Sequence, residues 1–129
     1  MQRTELETYI LETYPAEADH PWTQYPNYAV FRHISNHKWF ALVMDVPKSK
    51  LGTSGEGNLP VVNVKCEPMI IGGLLSEAGF YPAYHMNKDC WITIALDGSV
   101  QAEKIKTLLD MSFNLTNGKS KKRKMSPDE

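Results

Sequence analysis

The chain has 129 residues, 42% hydrophobic and 22% charged, with a formal net charge of −1 and two cysteines. That is one domain's worth of sequence, long enough to bury a single core. No apolar run approaches the ~18–20 residues of a membrane span. Met1-Gln2-Arg3-Thr4-Glu5 lacks the layout of a secretory signal, and the cysteines lie outside any Cys-x-x-Cys pair. The expectation is a soluble, cytoplasmic protein with no membrane partner.

In chain order, Thr4 followed by Glu7 reads as a capping box that opens a helix. Leu6, Tyr9, Ile10, Thr13 and Tyr14 give that helix one apolar stripe, and Pro15 ends it. Tyr28–Ile34 and Lys38–Val46 are rich in β-branched and aromatic residues, and Ser35-Asn36 between them predicts a hairpin turn. Residues 47–60, with Pro47, Gly52, Gly55, Gly57 and Pro60, read as a long flexible loop before a strand over Val61–Lys65. Pro68 suits the first position of a helix running to about Ala78, packed through Met69, Ile70, Leu74 and Leu75 and stopped by Gly79. Cys90–Leu96 predicts another strand and Asp97-Gly98 a turn. A last helix, from about Ser99 to Asn114, presents Ile105, Leu108, Leu109, Ser112 and Phe113. Strands that follow one another through hairpins predict an α+β fold, an antiparallel sheet with helices packed on one face.

Period-two alternation assigns Val62, Val64, Ile92 and Ile94 to the helix side. Lys65 and Trp91 then fall on an open face, where a cation and an indole offer a charge contact and a stacking contact together. Arg32, His37 and Lys38 lie at the first hairpin, Lys48 and Lys50 in the glycine-rich loop, and His85, Lys88 and Trp91 around a turn into a strand. His85 has no nucleophile nearby in sequence, so it reads as a structural or ligand-contact residue rather than a catalytic one. Gly52-Thr53-Ser54-Gly55-Glu56-Gly57-Asn58 lacks the Gly-Lys-Ser/Thr ending of a phosphate-binding loop. No cofactor is expected.

Charge divides the chain. Residues 119–129 carry five Lys/Arg against two acids, a net +3, which leaves nine against thirteen, a net −4, for the first 118 residues. A basic tail over 117–129, disordered by composition, adds sequence-independent attraction to nucleic acid or merely solubilises the chain. The domain proper is expected over residues 1–116.

One stretch carries a resemblance. Tyr84-His85-Met86-Asn87-Lys88 runs into Trp91-Ile92-Thr93-Ile94, with Leu96-Asp97-Gly98 behind it. Val64-Lys65-Cys66-Glu67-Pro68 precedes a helix, Phe40-Ala41 sits inside a strand, and Asp110-Met111-Ser112-Phe113-Asn114-Leu115 closes the domain. Together these make the chain resemble the MmcQ/YjbR-like family, small bacterial proteins with a CyaY-like (frataxin-like) two-layer fold. Ile70-Ile71-Gly72-Gly73 and the lysine tail depart from that pattern. The resemblance implies a cytoplasmic protein from a family of unsettled function, with members proposed to bind DNA through a double wing of β-hairpins and with no established enzyme activity. With no nucleophile–base pair in the sequence, the expectation is a non-enzymatic domain that binds duplex DNA. Arg32, Lys38, Lys48, Lys50, Lys65, His85, Lys88 and Trp91 are the expected contacts. Two other readings stand beside it. An exposed sheet edge or tryptophan face would suit a protein partner. The frataxin-like fold would also suit weak cation binding by Glu5, Glu12, Glu17 and Asp19, although no metal site is expected from ligand spacing.

Overall fold

The computed structural model describes residues 1–118, so the tail beyond Gly118 lies outside the described residues. Helix α1 spans Arg3–Thr13 and strands β1–β3 span Ala16–Asp19, Ala29–His33 and Trp39–Pro47. A 3₁₀ turn over Lys48–Leu51 leads to β4, Asn58–Lys65; α2 follows over Pro68–Leu75. Strands β5 (Phe80–Pro82) and β6 (Trp91–Ala95) precede α3, Ala102–Thr116. The six strands form one sheet in the order β1-β2-β3-β4-β6-β5, and every neighbouring pair is antiparallel.

Alternation along the strands decides which side carries the helices. Val43, Val62, Val64, Ile92 and Ile94 pack with Leu6 and Ile10 of α1, Ile71 and Leu74 of α2, and Ile105, Leu108 and Leu109 of α3. All three helices thus cover one face of the sheet, the arrangement expected from sequence. Each large side chain buried there contributes roughly 1.5–3 kcal/mol.

The local departures have local causes. Helix α1 begins two residues early, because Glu5 rather than Glu7 reaches back, accepting the Gln2 N–H at 3.1 Å. Glu7 is held instead by the Arg3 guanidinium at 3.3 Å. Helix α2 stops at Leu75, not Ala78, so that the chain can enter β5, a strand not anticipated. Gly79 makes that entry at φ +92°, where an added Cβ would stand 2.5 Å from Val100 Cγ2. Met69, expected in the core, is 87% exposed. Strand β1 was also not anticipated, β4 begins at Asn58 rather than Val61, and α3 starts at Ala102 rather than Ser99. Residues 97–99 form a turn in which the Asp97 carboxylate takes the Ser99 N–H at 3.0 Å.

A bulge ties α3 to the sheet. Phe31 pairs with Ala41 but Arg32 with Trp39, so Phe40 is an extra residue in β3. The β3–β4 ladder ends at Ala41 and Val64, and the Ser112 hydroxyl continues it. That hydroxyl donates to the Phe40 carbonyl at 2.6 Å and accepts the Lys65 N–H at 2.8 Å. One turn on, the Thr116 hydroxyl donates to the Ser112 carbonyl at 2.8 Å and meets His33 Nε2 at 2.7 Å. With the hydroxyl proton so committed, His33 is the donor and carries its proton on Nε2.

Burial lowers the His33 pKa and nearby Lys38 adds to this, while a hydrogen bond to the Phe113 backbone acts in the opposite direction. A folded-state pKa below the unfolded value means that the unfolded chain binds the proton more readily. The His33 contribution to stability is therefore complete above about pH 6.5 and is lost as pH falls through the folded-state value. Urea midpoints measured between pH 7.5 and 5 are expected to fall, and His33→Gln is expected to flatten that dependence. An unchanged slope in the variant would assign the pH sensitivity to another group.

Candidate nucleic-acid interface

Among the described residues, every basic side chain on an α-helix has a carboxylate within 4.0 Å. Arg3 pairs with Glu7 at 3.3 Å and Asp45 at 3.2 Å, Lys104 with Glu77 at 3.2 Å, and Lys106 with Glu103 at 3.7 Å. Lys38, Lys65 and Lys88 lie on a hairpin, a strand and a loop, Lys48 and Lys50 on the 3₁₀ turn, and none has a carboxylate within 4.0 Å among the described residues. Lys38, Lys50 and Lys88 are exposed; Lys48 and Lys65 are half-buried.

Arg32 behaves differently from the other expected contacts. It sits opposite Glu17 in the β1–β2 ladder and forms ion pairs with Glu17 at 3.7 Å and Asp19 at 3.1 Å. Strand β1, invisible to the sequence reading, supplies both acids. The arginine is thereby already partnered, as is His37, 3.6 Å from the same Glu17. The same pairing takes Glu17 and Asp19 away from the frataxin-like arrangement. Glu5 and Glu12 line a separate groove with Lys106. Among the described residues no group of three His, Cys, Asp or Glu side chains is placed to hold a metal ion.

Lys65 and Trp91 are cross-strand neighbours, on the side opposite Val64 and Ile92. That side is not the open face expected from alternation. Tyr28, Val30, Leu42, Met44, Val46, Leu59, Val61 and Ala95 form a second core there, with Trp22, Trp39, Leu51, Tyr81, Tyr84 and Met86 packed over it. Central strands of the sheet are therefore buried on both faces, and the accessible surface is made by the β1–β2 and β5–β6 loops.

A closed ring of hydrogen bonds positions the second loop. Asn63 and Thr93 are fully buried and directly opposed across β4 and β6. Thr93 Oγ1 accepts the Tyr84 N–H at 2.9 Å and donates to Asn63 Oδ1 at 2.5 Å, while Asn63 Nδ2 donates to the Tyr84 carbonyl at 2.8 Å. Tyr84 is thus held at both backbone groups, and the chain turns at His85 with φ 67°. That left-handed conformation is uncommon outside glycine, with Asn, Asp and His the usual exceptions.

The loops enclose an aromatic cavity of about 310 Å³, lined by Trp22, Tyr25, Tyr28, Trp39, His85 and Met86 above Leu42. Trp22 meets Trp39 edge to face, with ring centroids 5.5 Å apart, and Tyr28 at 5.8 Å; Tyr25 stacks on Tyr28 at 4.8 Å. Of these, only His85 was among the expected contacts. The available signal was the aromatic density of residues 20–28, a loop rather than a strand or helix and so outside any periodic pattern. A second cavity, about 280 Å³, is lined by Lys50, Leu51, Tyr81, Pro82, Tyr84 and Lys88 among others. Tyr84 of the second cavity and His85 of the first are chain neighbours with rings 3.9 Å apart.

The YjbR family model matches residues 11–115. The chain belongs to the YjbR family. A Bacillus subtilis relative, the uncharacterized protein YyaQ, is 40% identical over 116 residues, covering 90% of this chain and 98% of the relative. A crystal structure of a Pseudomonas syringae protein is 44% identical and superposes with a TM-score of 0.88 over 91% of this chain and all of that one. A solution structure from the same organism gives 0.81 at 44% identity, covering 91% of this chain and 94% of that one. A Deinococcus radiodurans protein with a DUF419 domain, 24% identical, shares the fold at a TM-score of 0.70 over 93% of this chain and 83% of its own. No helix among the described residues of this YjbR-family chain is long and apolar enough to cross a membrane.

Thr93→Val keeps the shape but leaves the Tyr84 N–H and Asn63 Oδ1 without partners. A buried group so orphaned costs about 1–3 kcal/mol, so the variant is expected to unfold at lower denaturant by that amount. Hydrogen exchange at the Tyr84 amide should accelerate with it. Equal protection in variant and parent would mean that the ring does not hold the loop.

Proposed function

We propose that this YjbR-family domain is a non-enzymatic nucleic-acid-binding module that takes the phosphates of duplex DNA on its strand-and-loop side. The observation that carries this reading is the partition of charge. Lys38, Lys50, Lys65 and Lys88 have no carboxylate within 4.0 Å among the described residues, and Lys48 acts on Asp97 only from beyond that distance, whereas Arg3, Arg32, Lys104 and Lys106 each have one within it. An ammonium without a partner gives up only water and counterions when it meets a phosphate, and counterion release supplies most non-specific affinity. The β2–β3 hairpin with Lys38 and the loop after β3 with Lys48 and Lys50 act as the two wings. Arg32 and His37 brace β1 rather than touching DNA, and half-buried Lys65 and Trp91 pair at the end of the β4–β6 ladder.

Two features support a binding rather than a catalytic role. The thiol of buried Cys66 is pushed up to about 11, chiefly by burial, with Cys90 and Glu67 adding to it, so it stays protonated at neutral pH. His85, the only exposed imidazole at the aromatic cavity, has rings rather than a nucleophile beside it. The net −4 of residues 1–118 opposes a polyanion, so binding is local and weak, with a Kd on the order of 10⁻⁴–10⁻⁶ M at physiological salt.

Fluorescence anisotropy of labelled duplex DNA across a salt series tests this. Lys48→Glu with Lys50→Glu is expected to weaken binding and to flatten the slope of log K against log salt by about two units. Arg32→Ala is expected to leave the slope unchanged. Truncation after Gly118 is expected to lower affinity for all sequences alike, since a run of lysines reads charge and not bases. Absence of binding by residues 1–118 at low salt would reduce the reading to an electrostatic tail.

A further inference from the structure

The aromatic cavity is left unused by phosphate contacts, and its walls have an arrangement of their own. Trp22 lies at 82° to Trp39 and 79° to Tyr28, so a flat ring laid on one wall meets another with its edge. That is the geometry aromatic rings prefer. A volume of about 310 Å³ lies at the small end of ligand sites and suits one planar heterocycle better than a peptide segment. Indole N–H, phenol and imidazole groups among the lining residues can meet the polar edge of such a ring.

Charge selects among flat or aromatic-seeking ligands. A box of aromatic faces also attracts ammonium groups, but no carboxylate lines this cavity. The adjoining cavity carries Lys50 and Lys88 instead, and neither has an acidic partner among the described residues. A cation would be repelled there, while a ring bearing an anionic group would satisfy both cavities at once. His85 lines the first and its chain neighbour Tyr84 the second, with their rings 3.9 Å apart, and the buried Asn63–Thr93 hydrogen bonds hold the Tyr84 backbone.

We propose that the aromatic cavity is a nucleotide site, taking a purine or pyrimidine ring among Trp22, Tyr28, Trp39 and His85, with the phosphate directed toward Lys50 and Lys88. The phosphate half rests on the lysine reading above; the ring half does not. The nucleotide is either free or one unstacked unit of a single strand, since both present the same ring and phosphate.

Titration of the full-length protein with adenosine, ADP and a short single-stranded oligonucleotide, read by tryptophan emission and calorimetry, separates these cases. Adenosine and ADP are expected to quench saturably, ADP binding more tightly. Trp22→Leu and His85→Gly, the latter matched to the left-handed backbone, are expected to weaken both ligands about tenfold, the range of one lost stacking contact. Lys50→Glu with Lys88→Glu is expected to weaken ADP about tenfold while leaving adenosine within about twofold. An oligonucleotide that outcompetes ADP assigns the ring to a single strand, and the reverse order assigns it to a free nucleotide. The proposal is overturned if adenosine and ADP give no saturable change below about 10 mM, if tetramethylammonium binds more tightly than adenosine, or if both cavity variants bind like the parent. Should Trp22→Leu fail to fold by circular dichroism, exposed Tyr25→Ala replaces it with the same expectation. Loss of adenosine binding with an intact salt slope on duplex DNA overturns this site alone. Adenosine binding with no duplex binding overturns only the duplex reading.

Discussion

Two buried polar side chains on the side of the sheet away from the helices govern the candidate site. Asn63 and Thr93 face each other at the centre of the sheet, with no exposed surface, among valine, leucine and methionine neighbours. Polar groups in such surroundings destabilise the fold unless each finds a partner. The partners come from the Tyr84 backbone, and taking them fixes the β5–β6 loop over the sheet. Tyr84, His85, Met86 and Lys88 all travel on that loop. The surface chemistry is thus set by satisfaction of hydrogen bonds one layer below it.

The helix side uses the same device for a different end. Ser112 supplies a donor to Phe40 and an acceptor for Lys65 just past the end of the β3–β4 ladder, beside the bulge in the β2–β3 pairing. Thr116 joins His33 to the end of α3. Two hydroxyls on successive turns therefore lock the last helix in register with the central strands, while the aliphatic stripe of Ile105, Leu108 and Leu109 supplies most of the burial. The imidazole in that lock makes the lock sensitive to acid.

Charge follows the layers. Helices α1 and α3 carry Glu5, Glu7, Glu12, Glu103 and Asp110, and their cations are spent on ion pairs. Loops and strand ends carry the unpaired lysines. A net negative domain thus still offers single lysines free of close ion pairs, in loops that they share with acids such as Glu56 and Asp89.

The sheet with helices on one face was legible from Val62, Val64, Ile92 and Ile94, since period-two alternation is a property of the chain itself. So were the existence of the three helices and the positions of the unpaired lysines. Ends of elements were less so: Gln2 with Glu5 won over Thr4 with Glu7 because Arg3 claims Glu7. Short strands β1 and β5 carry too few residues for a period to register, and with β1 went the neutralisation of Arg32. The face bearing Lys65 and Trp91 looked open because alternation tells which side a residue faces, not what lies above it. Only the tertiary structure decided that residues 20–28 and 82–90 fold over that face and bring Trp22, Tyr28, Trp39 and His85 around one cavity. Local sequence dictates backbone period and side-chain orientation; meetings between distant loops depend on which buried polar and apolar groups need covering, and that is known only once the sheet is assembled.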